Sequence, residues 1–356
     1  MNSQGYRVSK ELLLKIAEHC DRKTLLSLLQ TNKDIHTLIS NYERSISAAK
    51  LENFLIPPQS HLLTSRDEKR YVIPKRNSFV TVRELELREM RMNSILDHGG
   101  FLLTPCPEFL GLTSASLDKF KAGLKRAMYM ADRLADVAAD PEITRAREDV
   151  KARLESLRID ATGSMSDEDI AARRDADYEV YVELAKALRT KQAAIIRDLS
   201  TIDLAFLLTL GEGAMIGWQR YMAKYATSDP NFYNKMDAFG ELVFREGCFA
   251  VWAFVRGTGS MLAFVNTAVT VVAEQIWRYE LGFDQSDAGL TMAVHKELKQ
   301  RLQDAKEEDD DDDPCFDEVD PDNPLAVKEW AHKLVGGQIG CDEWKGYYAI
   351  EYPGSQ

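Results

Sequence analysis

Between Val8 and Lys50 the apolar residues recur at spacings that only short, closely joined helices gather on one side. The run V-S-K-E-L-L-L-K-I-A-E-H-C-D-R-K-T-L-L-S-L-L-Q-T-N-K-D-I-H-T-L-I opens a set of three predicted helices. In the first, Lys10 to Cys20, residues Leu12, Leu13, Ile16, Ala17 and Cys20 fall on one face of a 3.6-residue period. The second, Arg22 to Gln30, carries Leu25, Leu26, Leu28 and Leu29. Ile35, Leu38, Ile39, Tyr42 and Ile46 keep one phase through the third. Ser9, Asp21 and Asn32 precede these helices, where a side-chain oxygen accepts from the unpaired N–H groups of a first turn. A unit this short has little core of its own. Its leucines therefore exceed what it buries alone, and spare apolar anchors on a helix suit a partner's groove.

The texture changes after this unit. Residues 51–82 hold Pro57, Pro58 and Pro74 among mixed charges and read as a linker with a short extended piece at Tyr71 to Ile73. Residues 83–304 read as a helical body. Leu117, Phe120, Leu124, Met128, Ala131 and Leu134 make one stripe, and Asp140 with Pro141 starts a further helix. Ser166 with Asp169 resembles a capping box before a long helix that carries Tyr178, Tyr181, Val182 and Ile196. Ser200 to Ala226, Asp237 to Arg256 and Ser260 to Leu281 are apolar nearly all round, which predicts buried helices. Leu290, Val294, Leu298 and Leu302 form a narrow row. Residues 305–323 are dense in Asp and Glu and broken by Pro314 and Pro321, which predicts a disordered acidic loop. Residues 324–356 bring Trp330, Trp344, Tyr347, Tyr348 and Tyr352, an aromatic set expected to pack on the body. The fold class expected is mainly α: a small N-terminal three-helix module, then an irregular multi-helix body.

Charge and cysteine usage narrow the function. A formal net charge of -12 disfavours nucleic-acid backbones. Five scattered cysteines without a C-x-x-C pair fit reduced thiols, and hence the cytoplasm or nucleus. The N-terminus lacks the apolar core of a secretory signal. Gly257 to Ala273 is the most membrane-like stretch, but it is short and carries Asn266 and three threonines, so a core helix is expected and no membrane partner.

Motifs that would carry chemistry are weak. The six histidines show no His-x-x-x-His or His-Glu-x-x-His spacing, and no metal is expected. His19 and His36 are placed on solvated edges. G-E-G-A-M-I-G, Gly211 to Gly217, has one residue too many for a dinucleotide fingerprint and lacks a strand–helix–strand setting. Close helix packing explains it better. G-T-G-S, Gly257 to Ser260, has neither a nucleophile elbow nor a P-loop lysine and reads as a helix junction. The acidic run lacks the spacing and glycine of a calcium loop. No cofactor and no catalytic residue is expected.

The N-terminal residues resemble an F-box, the adaptor-binding motif of cullin–RING ubiquitin ligase receptors, in the divergent form found in filamentous fungi. Val8-Ser9 stand at the family's Leu-Pro position. Glu11, Leu12, Leu13 and Ile16 match its first helix, and Asp21, Leu25, Leu26, Leu28 and Leu29 its second. Thr31-Asn32-Lys33 stand where Val-Ser-Lys is usual. Ser9 replaces a proline, Cys20 a leucine, and Ile35 falls near a frequent tryptophan. The resemblance covers residues 8–50. It implies a non-enzymatic substrate receptor that binds a Skp-type adaptor, and through it a cullin, while the helical body takes a protein target. Leu12, Leu13, Ile16, Leu25, Leu26, Leu28 and Leu29 are the adaptor-contact candidates, some of which form the module's own core. Two other functions stay open: a scaffold whose N-terminal helices are structural, and a helical enzyme with a site assembled from distant residues.

Overall fold

Three short polar side chains set the helix starts of the N-terminal unit. A computed structural model describes residues 8–54, 65–67, 70–72, 77–97, 102, 112–159, 184–223, 229–280, 289–308, 322–344 and 346–347. Ser9 accepts from the Leu12 N–H and opens α1 (Lys10–His19). Asp21 accepts from Thr24 and opens α2 (Arg22–Thr31), and Asn32 accepts from Ile35 and opens α3 (Lys33–Asn41). Each bond satisfies a donor that the helix itself leaves unpaired.

The single third helix expected from the sequence is two helices. At Tyr42 the backbone departs from helical geometry (φ -108°, ψ 14°), and its N–H is shared between the Leu38 and Ile39 carbonyls. α4 (Glu43–Leu51) then sets off in a new direction, packing on α1 while α3 packs on α2. This arrangement brings Ala17, Leu25, Ile39 and Ile46 into one buried cluster. Phe79, from the start of α5 (Phe79–Asp97), packs against that cluster, and Glu43 accepts the Phe79 N–H at 2.7 Å. The expected linker thus contains structure. A two-stranded antiparallel hairpin joins β1 (Ser65–Asp67) to β2 (Arg70–Val72), with Arg66 opposite Tyr71, and α5 begins four residues before the predicted body.

The chain divides into two units, residues 1–90 and 91–356. The second contains α6 (Ser114–Asp136), a 3-10 turn at Val137–Ala139, α7 (Pro141–Ile159) and α8 (residues 184–197). It continues with α9 (Thr201–Met222), α10 (Phe232–Glu246), α11 (Cys248–Arg256), α12 (Ser260–Glu280), α13 (Leu290–Glu308) and α14 (Pro324–Ile339). α9 is the axle of this unit and packs on α6, α10, α13 and α14. By length and composition it is apolar enough to cross a bilayer, yet 83% of that stretch is buried inside the protein. The Gly211-to-Gly217 segment lies within this unbroken helix, and Gly211 lets the Phe244 ring approach so closely that an added Cβ would stand 2.9 Å from it.

Other sequence features fall as their chemistry requires. The α6 stripe from Phe120 to Leu134 is buried, as are Leu290, Val294, Leu298 and Leu302 on α13. Asp140 accepts the Glu142 N–H at the head of α7. α13 reaches Glu308, past the expected start of the acidic loop, and the remainder of that run lies outside the described residues. So do Ser166, Asp169, Tyr178, Tyr181, Val182, Tyr348 and Tyr352. Trp330, Trp344 and Tyr347 are buried. Two further expectations are corrected: the stretch Asp237 to Arg256 is broken at Gly247 into α10 and α11, and α12 is not surrounded. α10 and α11 cover it from one side, burying Val265, Val269, Val272 and Ala273, while Phe264, Thr267, Thr270 and Val271 face outward.

Two buried carboxylates close the joints between helices of the second unit. Asp132 of α6 accepts the Cys248 N–H at 2.7 Å and so caps α11 from another helix. Gly247 before it has φ +66° and leaves no room for a Cβ beside the Asp132 carboxylate. Glu241 of α10 does more. It accepts from the Leu290 and Thr291 N–H groups at the head of α13, from Arg189 of α8 at 3.0 Å, and from Arg245 at 2.8 Å. Arg245 in turn donates to Gln275 of α12 at 2.6 Å. Burial pushes the Glu241 carboxyl up, but Arg245, Arg189 and the two backbone donors outweigh it and lower it from 4.5 to about 2.

A depressed carboxyl stabilises the folded state above its unfolded value and loses that contribution as pH falls through the folded one. Between pH 5 and 2 we expect a stability loss of roughly 3 kcal/mol from this group. Glu241→Gln should remove it at neutral pH and take the anion from the half-buried Arg189 and Arg245, at a cost of about 3 kcal/mol. Urea unfolding of both proteins across that pH range checks this: the variant's stability should vary less with pH than that of the native protein.

Candidate protein-docking face of the N-terminal unit

The N-terminal core sorts the seven candidate residues by physical role. Leu25 is 5% exposed and belongs to the buried cluster with Ala17, Ile39 and Ile46. Its place among the contact candidates is corrected, because a side chain closed in by its own unit offers no area to another chain. Leu13, Leu28 and Leu29 are half-buried, and the latter two pack against the core. Leu12, Ile16 and Leu26 project into solvent with 54%, 39% and 45% of their surface exposed.

Leu12 and Ile16 are spaced four apart on α1 and stand one above the other, while Val8 precedes the extended Ser9 cap and lies outside the helix. Val8 is exposed as well. The row is rigid at its base because Ser9 caps the same helix and the Cys20 N–H closes it on the Ile16 carbonyl. Its flanks are charged. Lys15 pairs with Glu18 at 2.7 Å, and the Glu11 carboxyl is held below its usual range by a backbone hydrogen bond and by Ser9. Asp21 is likewise lowered, chiefly by the Thr24 N–H. An ionised carboxylate in a first turn also meets the positive end of the helix dipole. His19 and His36 are exposed. The Cys20 thiol is pushed up by burial, which disfavours the thiolate and any nucleophilic role. What α1 offers is a ridge of branched apolar side chains between charged margins, a surface suited to docking and not to bond-making.

Polar groups in the second unit were not singled out from sequence. Glu212 of α9 meets the His332 Nε2 of α14 at 2.7 Å, with Lys328 at 3.6 Å on its other oxygen. Tyr347 donates to the Leu102 carbonyl, and burial together with the Glu212 charge pushes its phenol up. Trp344 lies edge-on to His332 and against Phe120. A buried carboxylate–imidazole pair occurs at many active sites. Here both side chains are almost wholly enclosed by aromatic packing, so the pair ties α9, α14 and the segment after α14 together. The signal for it was present: Glu212 is the one charged residue between Asp203 and Arg220 in a long apolar run, L-A-F-L-L-T-L-G-E-G-A-M-I-G-W. Among the described residues no group of three His, Cys, Asp or Glu side chains could hold a metal ion.

No protein-family model, curated protein or solved structure matches the chain.

The core position of Leu25 has a measurable consequence. Leu25→Ala should cost about 2–5 kcal/mol in the N-terminal unit through the lost burial and the cavity left behind. Leu12→Ala should cost less than about 0.5 kcal/mol, being a change on an exposed surface. Hydrogen exchange of the α2 and α3 amides reads both effects at the unit concerned.

Proposed function

We propose that residues 8–51 dock a Skp-type adaptor, so that the chain serves as a substrate receptor of a Skp–cullin–F-box ubiquitin ligase. The observation that supports the reading is the exposed α1 pair Leu12 and Ile16 beside a core that is already filled by other residues. Apolar side chains left in water in register on one helix gain roughly 1.5–3 kcal/mol each when a partner covers them. A few of them offset the entropy of association. The receptor itself performs no covalent step. It holds a protein target, through the helical second unit, near the charged ubiquitin carrier and raises the effective concentration of the two. The F-box resemblance in Glu11, Leu12, Leu13, Ile16 and the Asp21-headed leucine helix supplies the identity of the adaptor.

The test uses the full chain and a purified Skp-type adaptor in a pull-down. Leu12→Asp with Ile16→Asp should abolish adaptor capture while circular dichroism stays that of the native protein. Capture that survives this double change removes the α1 row from the interface, and a native chain that retains no adaptor favours a scaffold role.

A further inference from the structure

The N-terminal unit carries a second surface feature that the adaptor reading does not use. Between α2, α4 and the start of α5 runs a shallow groove with about 50 Å³ of space. Half-buried Leu29 and Phe79 line it above the enclosed Leu25 and Val82, and the exposed Leu26 stands at its lip. Its charged lining is Arg22, Lys50, Arg83 and Glu86, a balance of three cations to one carboxylate. The whole chain carries -12. A local excess of positive charge around an apolar floor therefore runs against the charge of the molecule.

The cations are placed in different ways. Lys50 is 8% exposed and reaches back to donate to the Cys20 carbonyl, so its charge sits in the floor, where the surroundings screen it weakly. Arg22 is half-buried and Arg83 exposed, one on each side of the groove. Glu86 is the one carboxylate in the lining and offsets part of this set. Burial raises its carboxyl, and Arg22 and Lys50 only partly counter that. Asp21, next to Arg22, keeps its carboxylate on the Thr24 N–H at the head of α2.

We propose that this groove binds an acidic peptide segment through one apolar side chain flanked by carboxylates. The apolar side chain lies on Leu26, Leu29 and Phe79, and the carboxylates accept paired hydrogen bonds from the guanidinium groups of Arg22 and Arg83. Charge complementarity selects the partner: a basic segment is repelled at the groove, and a neutral one gains the floor contact alone. A nucleic acid is a poor occupant, because its backbone would meet the negative field of the rest of the chain and has no aliphatic group for the floor. The proposal is independent of the adaptor reading, which rests on the α1 row.

The test is fluorescence anisotropy with the full chain and a short labelled peptide of alternating aspartate and leucine. Saturable binding that weakens with added salt is expected. Arg22→Glu with Arg83→Glu should weaken it at least about tenfold, and neither change touches a buried residue. Lys119→Glu, an exposed change in the second unit, should leave it unaltered. Peptides with asparagine for aspartate, or serine for leucine, should each bind at least about tenfold more weakly. Absence of binding to the native chain overturns the proposal, as does full binding by the charge-reversed variant or equal competition by an oligothymidylate. The assay contains no adaptor, so its failure and a failure of adaptor capture are read separately.

Discussion

The buried carboxylate of Glu241 is the interaction on which the second unit depends. It is a single side chain on α10, yet it supplies the missing acceptors for the head of α13, for Arg189 of α8 and for Arg245, which reaches α12. A helix terminus inside a protein has no water to satisfy it, and a half-buried guanidinium has little. One anion meets both needs, and its own desolvation is offset because five donors, the Thr291 hydroxyl among them, converge on it. Asp132 repeats the device on a smaller scale at the head of α11. The irregular helix packing of this unit is thus tied at polar joints set within an apolar core.

The N-terminal unit works by a different balance. Its buried cluster is small, and every helix contributes one residue to it: Ala17, Leu25, Ile39 and Ile46. Polar caps at Ser9, Asp21 and Asn32 carry the rest of the definition. Because the core needs so few apolar side chains, others remain outside. They fall on two surfaces of distinct chemistry, a charged-edged aliphatic row on α1 and a cationic groove beside α2.

Local signals in the sequence were legible where the physics is local. The caps of α1, α2 and α3 need only a side chain three residues from an amide, and they stand where the sequence places them. The α6 and α13 stripes follow from a helical period alone. Tyr42 was not legible as a break, because Ile35, Leu38, Ile39 and Ile46 keep one phase across it and the cause lies in α1 and α2, against which α3 and α4 separately pack. α12 misled in the opposite sense. Its apolar composition predicted burial all round, but composition does not record how many neighbours a helix receives, and α12 has them on one side only.

The sequence by itself determined that this protein is helical, where most helices start, and that the leucines of residues 12–29 exceed what so small a unit encloses. Those properties depend on hydrogen-bond reach and side-chain period, which operate within a turn or two of the chain. Which leucine is core and which faces water was decided only by the tertiary structure. Leu25 and Leu26 are adjacent and chemically identical, and their fates differ because α3 and α4 close over one and leave the other bare. The same holds for Glu241 and Glu212: a carboxylate becomes a clamp only when chain segments distant in sequence deliver its donors, and that delivery is a property of the packed fold.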